Sequence, residues 1–189
     1  MRRRHHFVAN LCQRGENPIR FVTMIIRGTN KILKTSGIKP VKNTDEITSE
    51  LPGEWYAGLL STGKQGKLAI HFLHHPTMLT VLVNGKSLNK ALPVFQERSE
   101  NLIKRLGYGK LLFQYQLQTE PQIFATNSRS MLSHMNQLRY NIEYHLAMAE
   151  TIEDTNWDYI EDVHFNYIFS RNKKYMTPKE ILDALMIDK

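Results

Sequence analysis

Apolar runs in the first half of the chain give its clearest structural signal. Residues 55–60 and 67–73 flank a glycine-containing loop, which is the pattern of a β-hairpin. Residues 78–83 are almost continuously apolar, as in a central strand covered on both faces. The pattern predicts an antiparallel meander over residues 54–83.

Helical spacing marks two longer segments and a short one. Residues 128–149 carry one apolar stripe with members three or four positions apart: Met131, Met135, Leu138, Ile142, Leu146 and Ala149. Residues 93–106 carry a second stripe, and this helix is predicted to begin at Pro93, because a first helical turn does not need the N–H that proline lacks. Thr177 and Glu180 have the spacing of a capping box and predict a short C-terminal helix.

Shorter patterns predict strands over residues 21–27 and 122–125, with a brief helix over 31–36. Residues 110–118 and 157–169 place apolar side chains on alternate positions without excluding a helix, so both assignments stay open there.

Together these elements predict a single α+β domain over residues 21–189. Its antiparallel sheet of about four or five strands, which includes the meander, would pack against the two long helices near 93–106 and 128–149. The short C-terminal helix completes the predicted fold.

The net charge of +7 suggests nucleic acid as a partner, but most of the excess lies in one segment. Residues 1–23 contain five arginines and one glutamate, and the rest of the chain carries 20 basic and 17 acidic residues, a net charge of +3. The basic leader, residues 1–20, could dock on phosphates, could be a targeting segment, or could be a disordered extension upstream of a start at Met24. We favour the last interpretation.

Composition limits the class of protein. With 41% apolar and 23% charged residues the chain resembles ordinary globular proteins, and it has no apolar run near the roughly 20 residues that a membrane span needs. The single cysteine, Cys12, cannot form an internal disulfide and fits a reducing compartment. We therefore expect a cytoplasmic protein that does not bind membranes.

Catalytic and metal-binding patterns are weak. His71, His74 and His75 cluster near a predicted turn, but no cysteine or carboxylate lies within about ten residues, and a zinc site needs three or four ligands. We interpret them as solvated turn histidines and one side chain on a sheet face, and we predict no metal. Neither a P-loop nor a dinucleotide fingerprint occurs, so no cofactor is predicted and no catalytic residue is indicated.

Residues 165–175 interleave aromatic and basic side chains, which is a pattern found in proteins that bind single-stranded nucleic acid. Arg171, Lys173 and Lys174 are the candidate contacts. A core element that ends in a charged loop before a capped helix has the same composition, and this structural interpretation is favoured.

The polar segment 126–130 stands between a predicted strand and the helix near 128–149. Free N–H groups at a helix start carry partial positive charge, and with Arg129 they would attract an anion. Alternatively, Asn127 or Ser128 only caps the helix. If a polar site exists here, Asn127, Arg129, Ser130 and Asn136 are its candidate residues.

This segment also carries a family resemblance. Residues 126–138, "TNSRSMLSHMNQL", resemble the "TNNRSVLGSMNDL"-like signature of a mostly bacterial family, domain-of-unknown-function family 6933. Residues 55–60 and 72–79 look like two further family motifs, and the resemblance spans roughly 24–186. It implies that residues 110–118 are helical. It brings no activity, and Gln137 stands where the signature has aspartate, which weakens a catalytic interpretation.

The functional expectation is a non-catalytic binding or regulatory module, with another protein as its partner. A nucleic-acid-binding protein is the alternative, and a hydrolase or nuclease is a weaker one.

Overall fold

A computed structural model describes residues 23–42, 51–171 and 174–187 of the chain. The predicted leader, residues 43–50 and Lys173 lie outside these ranges. The described residues contain a five-stranded sheet with the spatial order β4-β3-β2-β1-β5. Its strands are β1 (Ile25–Gly28), β2 (Glu54–Ser61), β3 (Leu68–His75), β4 (Thr80–Asn84) and β5 (Gln122–Ala125).

The fold is α+β, as predicted. The sheet, however, contains both parallel and antiparallel strand pairs, so the prediction of an antiparallel sheet is only partly correct. Strands β2, β3 and β4 form the predicted antiparallel meander. Strand β1, however, pairs in parallel with both β2 and β5. The helix α1 (Asn30–Ser36) lies between β1 and β2 and forms part of the crossover that a parallel pair requires, whereas a tight turn joins antiparallel neighbours.

The helices of the described ranges lie on both faces of this sheet. They are α1, α2 (Leu88–Arg105), a 3₁₀ helix (Gly109–Tyr115), α3 (Arg129–Met148), α4 (Trp157–Phe165) and α5 (Pro178–Ile187). A small hairpin, β6 (Phe169–Arg171) and β7 (Lys174–Met176), precedes α5. Residues 110–118 are therefore largely 3₁₀ helix, and residues 157–169 form a helix and then begin a strand. None of the described helices is long and apolar enough to cross a membrane.

The prediction that the second long helix begins at Pro93 is wrong. It begins at Leu88, and Pro93 lies inside it, where it forfeits one backbone hydrogen bond. Leu88, Ala91 and Phe95 are buried along one side of the helix, which extends the apolar stripe upstream of the proline. The burial of this extra turn outweighs the lost bond.

Two apolar layers sandwich the sheet. On one face, Phe95 of α2 stacks on Phe72 at 4.0 Å between ring centroids and meets Trp55 edge-on at 4.9 Å. On the other face, the predicted stripe of α3 is buried from Met131 to Leu146. Helix α3 therefore has one side against the sheet and the other toward solvent, which positions the candidate site.

Polar contacts cover both edge strands. At the β4 edge, the Leu82 N–H donates to the buried carboxylate of Glu161 on α4 at 2.9 Å, and Arg98 pairs with the same carboxylate at 2.9 Å. At the β5 edge, the Val41 N–H donates to the Ile123 carbonyl at 2.9 Å. These contacts use backbone groups that an open edge would leave for pairing with another chain.

Candidate functional site

The polar segment 126–130 begins α3, and its central residue is the cap. The Ser128 hydroxyl accepts a hydrogen bond from the Met131 N–H at 3.2 Å, and Ser128 itself has extended backbone angles. Of the two capping residues that the sequence left open, the structure uses Ser128. The cap satisfies one of the N–H groups that a helix start leaves without a backbone partner.

Asn127 points its amide toward the sheet. The hydroxyl of Tyr56 on β2 lies 3.1 Å from the amide oxygen of Asn127 and 3.0 Å from a carboxylate oxygen of Glu54, so two acceptors share one proton. Tyr56 is fully buried. Burial, and secondarily the Glu54 charge, raise the pKa of Tyr56 above its ordinary value, which keeps the hydroxyl protonated. Asn127 thus anchors the helix start to the sheet.

Behind Tyr56 lies a buried ion pair that the sequence reasoning missed. Arg27 of β1 donates from Nε and Nη2 to the two carboxylate oxygens of Glu54, both at 2.6 Å, and both side chains are about 1% exposed. The guanidinium also lies 5.4 Å from the centre of the Phe124 ring on β5. The sequence did contain one indication of this pair. Arg27 ends the apolar run before it, and Glu54 directly precedes the apolar run 55–60. We call Arg27, Glu54, Tyr56 and Asn127 the buried network, of which the first three are buried and Asn127 is the exposed outer member.

Two of the predicted site residues lie together on the solvent side of α3. Arg129 and Asn136, both exposed, border an open depression of about 550 Å³, with Leu132, Ser133, Gln137 and Tyr140 as its other lining residues. Arg129 makes no ion pair with any residue in the described ranges. Ser130 is exposed but does not line the depression, and its hydroxyl lies 3.5 Å from Nε2 of His134. The four candidates therefore do not form one site.

The depression continues into exposed apolar side chains that the sequence reasoning did not select. Tyr140, Tyr144 and Met148 are 80%, 61% and 67% exposed, and their spacing of four residues places them along one side of α3. The His145 ring lies 5.8 Å from Tyr144 and 5.7 Å from Tyr159 of α4, which extends the aromatic area. The sequence could have indicated this area, because Tyr140 and Tyr144 lie outside the apolar stripe of the helix. The α3 outer surface is defined as Arg129, Ser133, Asn136, Tyr140, Tyr144 and Met148.

Two of the three histidines near the meander, His71 and His74, are buried, so the prediction of a solvated turn is wrong for His74. Its ring nitrogens lie 2.7 Å from the Thr77 hydroxyl and 2.8 Å from the Pro52 carbonyl oxygen, and the side chain is fully buried. Burial lowers the pKa of both His71 and His74 to about 3, so both rings are neutral near pH 7. Within the described ranges, no three His, Cys, Asp or Glu side chains are grouped to hold a metal ion.

The candidate nucleic-acid contacts are only partly within the described residues. Lys173 and the side chain of Arg171 lie outside them. Lys174 is exposed on β7, next to Tyr175, which is also exposed. Contact with nucleic acid through these residues stays a prediction.

Comparison of the sequence with models of known protein families finds a match over most of the chain. The family model described as "Domain of unknown function (DUF6933)" matches residues 25–181, most of the chain. No curated protein matches the sequence.

Proposed function

The chain belongs to the DUF6933 family, and we propose that it is a non-catalytic binding module that recognises a partner protein through the α3 outer surface. The family description names no activity, so the proposal rests on the geometry of this surface. The observation that carries it is the run of exposed tyrosine and methionine side chains that continues from the depression at Arg129.

The residue types of this surface suit protein recognition. Tyrosine, methionine and arginine are enriched in the cores of protein interfaces, and tyrosine and arginine supply many of the residues that dominate binding energy. A tyrosine ring offers a large contact area with few rotatable bonds, so ordering it on binding costs little entropy. Tyr140 and Tyr144 have this area in contact with water in the isolated chain. A partner that covered them would gain the hydrophobic free energy of both rings.

The charge of the surface specifies the partner further. Arg129 has no ion pair among the described residues and occupies the first turn of α3, where the helix dipole disfavours a cation. The nearest carboxylate on the helix, Glu143, is already engaged by Arg139 at 2.9 Å and by the Ser61 N–H at 2.8 Å. A carboxylate on the partner would pair with Arg129 without competition. The partner segment is therefore acidic, with apolar residues beside the acidic one.

Differential capture tests the proposal. The tagged full chain is used to capture proteins from its native cells, and each captured protein is purified for calorimetry with wild type, Arg129→Glu, Tyr140→Ser and Tyr144→Ser. Tyr175→Ser is the matched control, because Tyr175 is 78% exposed and belongs to β7, outside the α3 outer surface. We expect one partner whose Kd rises about 30-fold in the α3 variants, a loss of about 2 kcal/mol, and stays unchanged in the control.

Two results would contradict the proposal. One is equal affinity of every captured protein for wild type and for the three α3 variants. The other is binding of short oligonucleotides that weakens steeply with salt and is lost in Lys174→Ala, which would establish the nucleic-acid alternative instead.

A further inference from the structure

A second, smaller cavity of about 190 Å³ lies between the sheet and α3. Gly58 of β2 and His71 of β3 are cross-strand partners, and both line the cavity. Since Gly58 has no side chain, space remains beside the imidazole. A Cβ at position 58 would come within 3.0 Å of the Met135 methyl group and 3.6 Å of the Thr29 methyl group. The glycine therefore keeps the cavity open.

The buried end of the cavity is polar. His71 is fully buried, its Nε2 lies 3.4 Å from the Thr80 hydroxyl, and its Nδ1 has no hydrogen-bond partner among the described residues. The ring is neutral near pH 7, because burial lowers the pKa of His71 to about 3. When Nε2 accepts from Thr80, Nδ1–H is left as a donor. A buried donor without a partner is destabilising, so a ligand oxygen bonded to it would be stabilising.

The outer end of the cavity is cationic. Lys31 of α1 is exposed there and makes no ion pair within the described ranges. Arg139 of α3 lines the same end, and Glu143, which also accepts from the Ser61 N–H, holds its guanidinium in place. Thr29 adds a hydroxyl that makes no capping bond to α1. Two cations, one carboxylate and one hydroxyl leave this end with net positive charge.

The walls between the two ends are apolar and come from Leu60, Leu132 and Met135. The volume is below the roughly 300–1,000 Å³ of pockets for drug-sized ligands, so only a small molecule fits. The occupant must combine an anionic end, a short apolar middle and a polar atom at the far end. A short hydroxycarboxylate is a molecule of this size that combines all three features, and its hydroxyl oxygen can accept from an imidazole N–H.

We propose that this cavity binds a short-chain hydroxycarboxylate, with its carboxylate between Lys31 and Arg139 and its hydroxyl at Nδ1 of His71. The alkyl segment lies against Leu132 and Met135. This site differs in its chemistry from the depression at Arg129, although Leu132 and Asn136 border both. It does not depend on the proposed function.

The test uses the full chain and 3-hydroxybutyrate as the probe, with calorimetry and the ¹⁵N signals of the His71 ring as readouts. Butyrate lacks the hydroxyl, 3-hydroxybutyramide lacks the charge, and sodium chloride at matched ionic strength controls for screening. We expect 3-hydroxybutyrate to bind and to shift the Nδ1 signal. We expect binding at least five-fold weaker for butyrate and at least ten-fold weaker for the amide.

Variants locate the site. Lys31→Met is expected to weaken binding at least ten-fold, whereas Lys34→Met, on the same helix but outside the cavity, leaves it unchanged. Gly58→Ala is expected to abolish binding, and its thermal unfolding shows whether the fold is retained. If that variant fails to fold, the lysine pair alone decides. Equal binding of the acid and its amide, equal binding of butyrate, equal effects of the two lysine variants, or no shift of Nδ1 would each overturn the proposal.

Discussion

The two sides of the α3 start use polar residues in opposite ways. On the inner side, Asn127 joins Tyr56 and the fully buried ion pair of Arg27 and Glu54. On the outer side, two residues further along the chain, Arg129 faces solvent without an ion pair in the described ranges. The inner residues fix how the helix start sits on the sheet, and the outer residues stay available for a partner. One short motif therefore contains both structural and candidate binding residues.

Lowering the pH should have the largest effect on the free energy of unfolding, because it favours protonation of histidine rings that are neutral and buried in the folded state. The folded-state pKa of His71 and His74 is about 3, whereas an imidazole in the unfolded chain has a pKa near 6.5. The unfolded state therefore binds more protons between these values, and stability falls as the pH falls from 6.5 toward 3. Each ring can contribute up to about 5 kcal/mol of this loss.

Urea unfolding at a series of pH values measures this loss. Burial raises the pKa of Glu161, so that group works in the opposite direction and offsets part of the decline. In His71→Gln, the free energy of unfolding should depend less steeply on pH between 6.5 and 4. An identical dependence in wild type and variant would show that folding does not lower the pKa of His71.

Arg27→Met should have the next largest effect. It leaves the Glu54 carboxylate buried without its cation, and such losses typically cost about 3–5 kcal/mol. The matched control is Arg139→Met, which breaks the partly exposed pair with Glu143 and should cost at most about 1 kcal/mol. Chemical denaturation measures both changes.

The double variant Arg27→Met/Glu54→Leu sharpens this result. Because it removes both charges, it should be more stable than Arg27→Met alone. Glu54→Leu alone completes the comparison. If the double variant lost the sum of the free energies that Arg27→Met and Glu54→Leu lose separately, the ion pair would not be the interaction that Arg27→Met breaks.

The contrast between the two sides also shows what the sequence could predict. The meander and the buried stripe of α3 are local patterns of period two and period 3.6, which residues next to each other in the chain specify. For the same reason, the sequence narrowed the choice of capping residue to Asn127 or Ser128. The buried pair joins residues 27 positions apart, and nothing in either run indicates that β1 lies beside β2 in parallel. Pairing direction follows from the packing of the whole chain.

The local sequence pattern also could not predict which side chains of α3 are exposed to solvent. The stripe of α3 predicts which residues are buried, but the opposite side could have been covered by another element. Asn127, Arg129 and Ser130 are three neighbouring polar residues, yet one bonds into the sheet, one borders the depression and one does neither. Only the position of β2 beneath the helix start separates these roles.

Tyr56→Phe tests the link between the ion pair and the helix start. It removes one hydroxyl that contacts both Glu54 and Asn127 and keeps the ring in place. A hydrogen bond to a charged group contributes about 1.5–3 kcal/mol, so we expect a loss in that range. Combining it with Asn127→Ala should add little, because the two changes break the same contact. Full additivity in this double-mutant cycle would show that Asn127 is not part of the buried network.

Ser128→Ala should cost about 1 kcal/mol, since it removes the capping hydrogen bond to the Met131 N–H. Ser130→Ala is the matched control two residues along, where the hydroxyl is exposed and has only a 3.5 Å contact with His134. Its expected change is within about 0.5 kcal/mol. Thermal and urea unfolding of both variants give the comparison. Equal losses would mean that the inner and outer sides of the helix start do not differ in the way described.

Arg129→Ala should have the smallest effect on stability and the sharpest effect on binding. Arg129 is exposed, has no ion pair among the described residues, and stands at the positive end of the α3 dipole. Its removal should leave stability unchanged or raise it by a few tenths of a kcal/mol. The same variant should weaken binding of the acidic partner at least ten-fold, measured by calorimetry. A loss of stability above about 1 kcal/mol would place Arg129 with the structural residues, and unchanged binding would remove it from the partner surface.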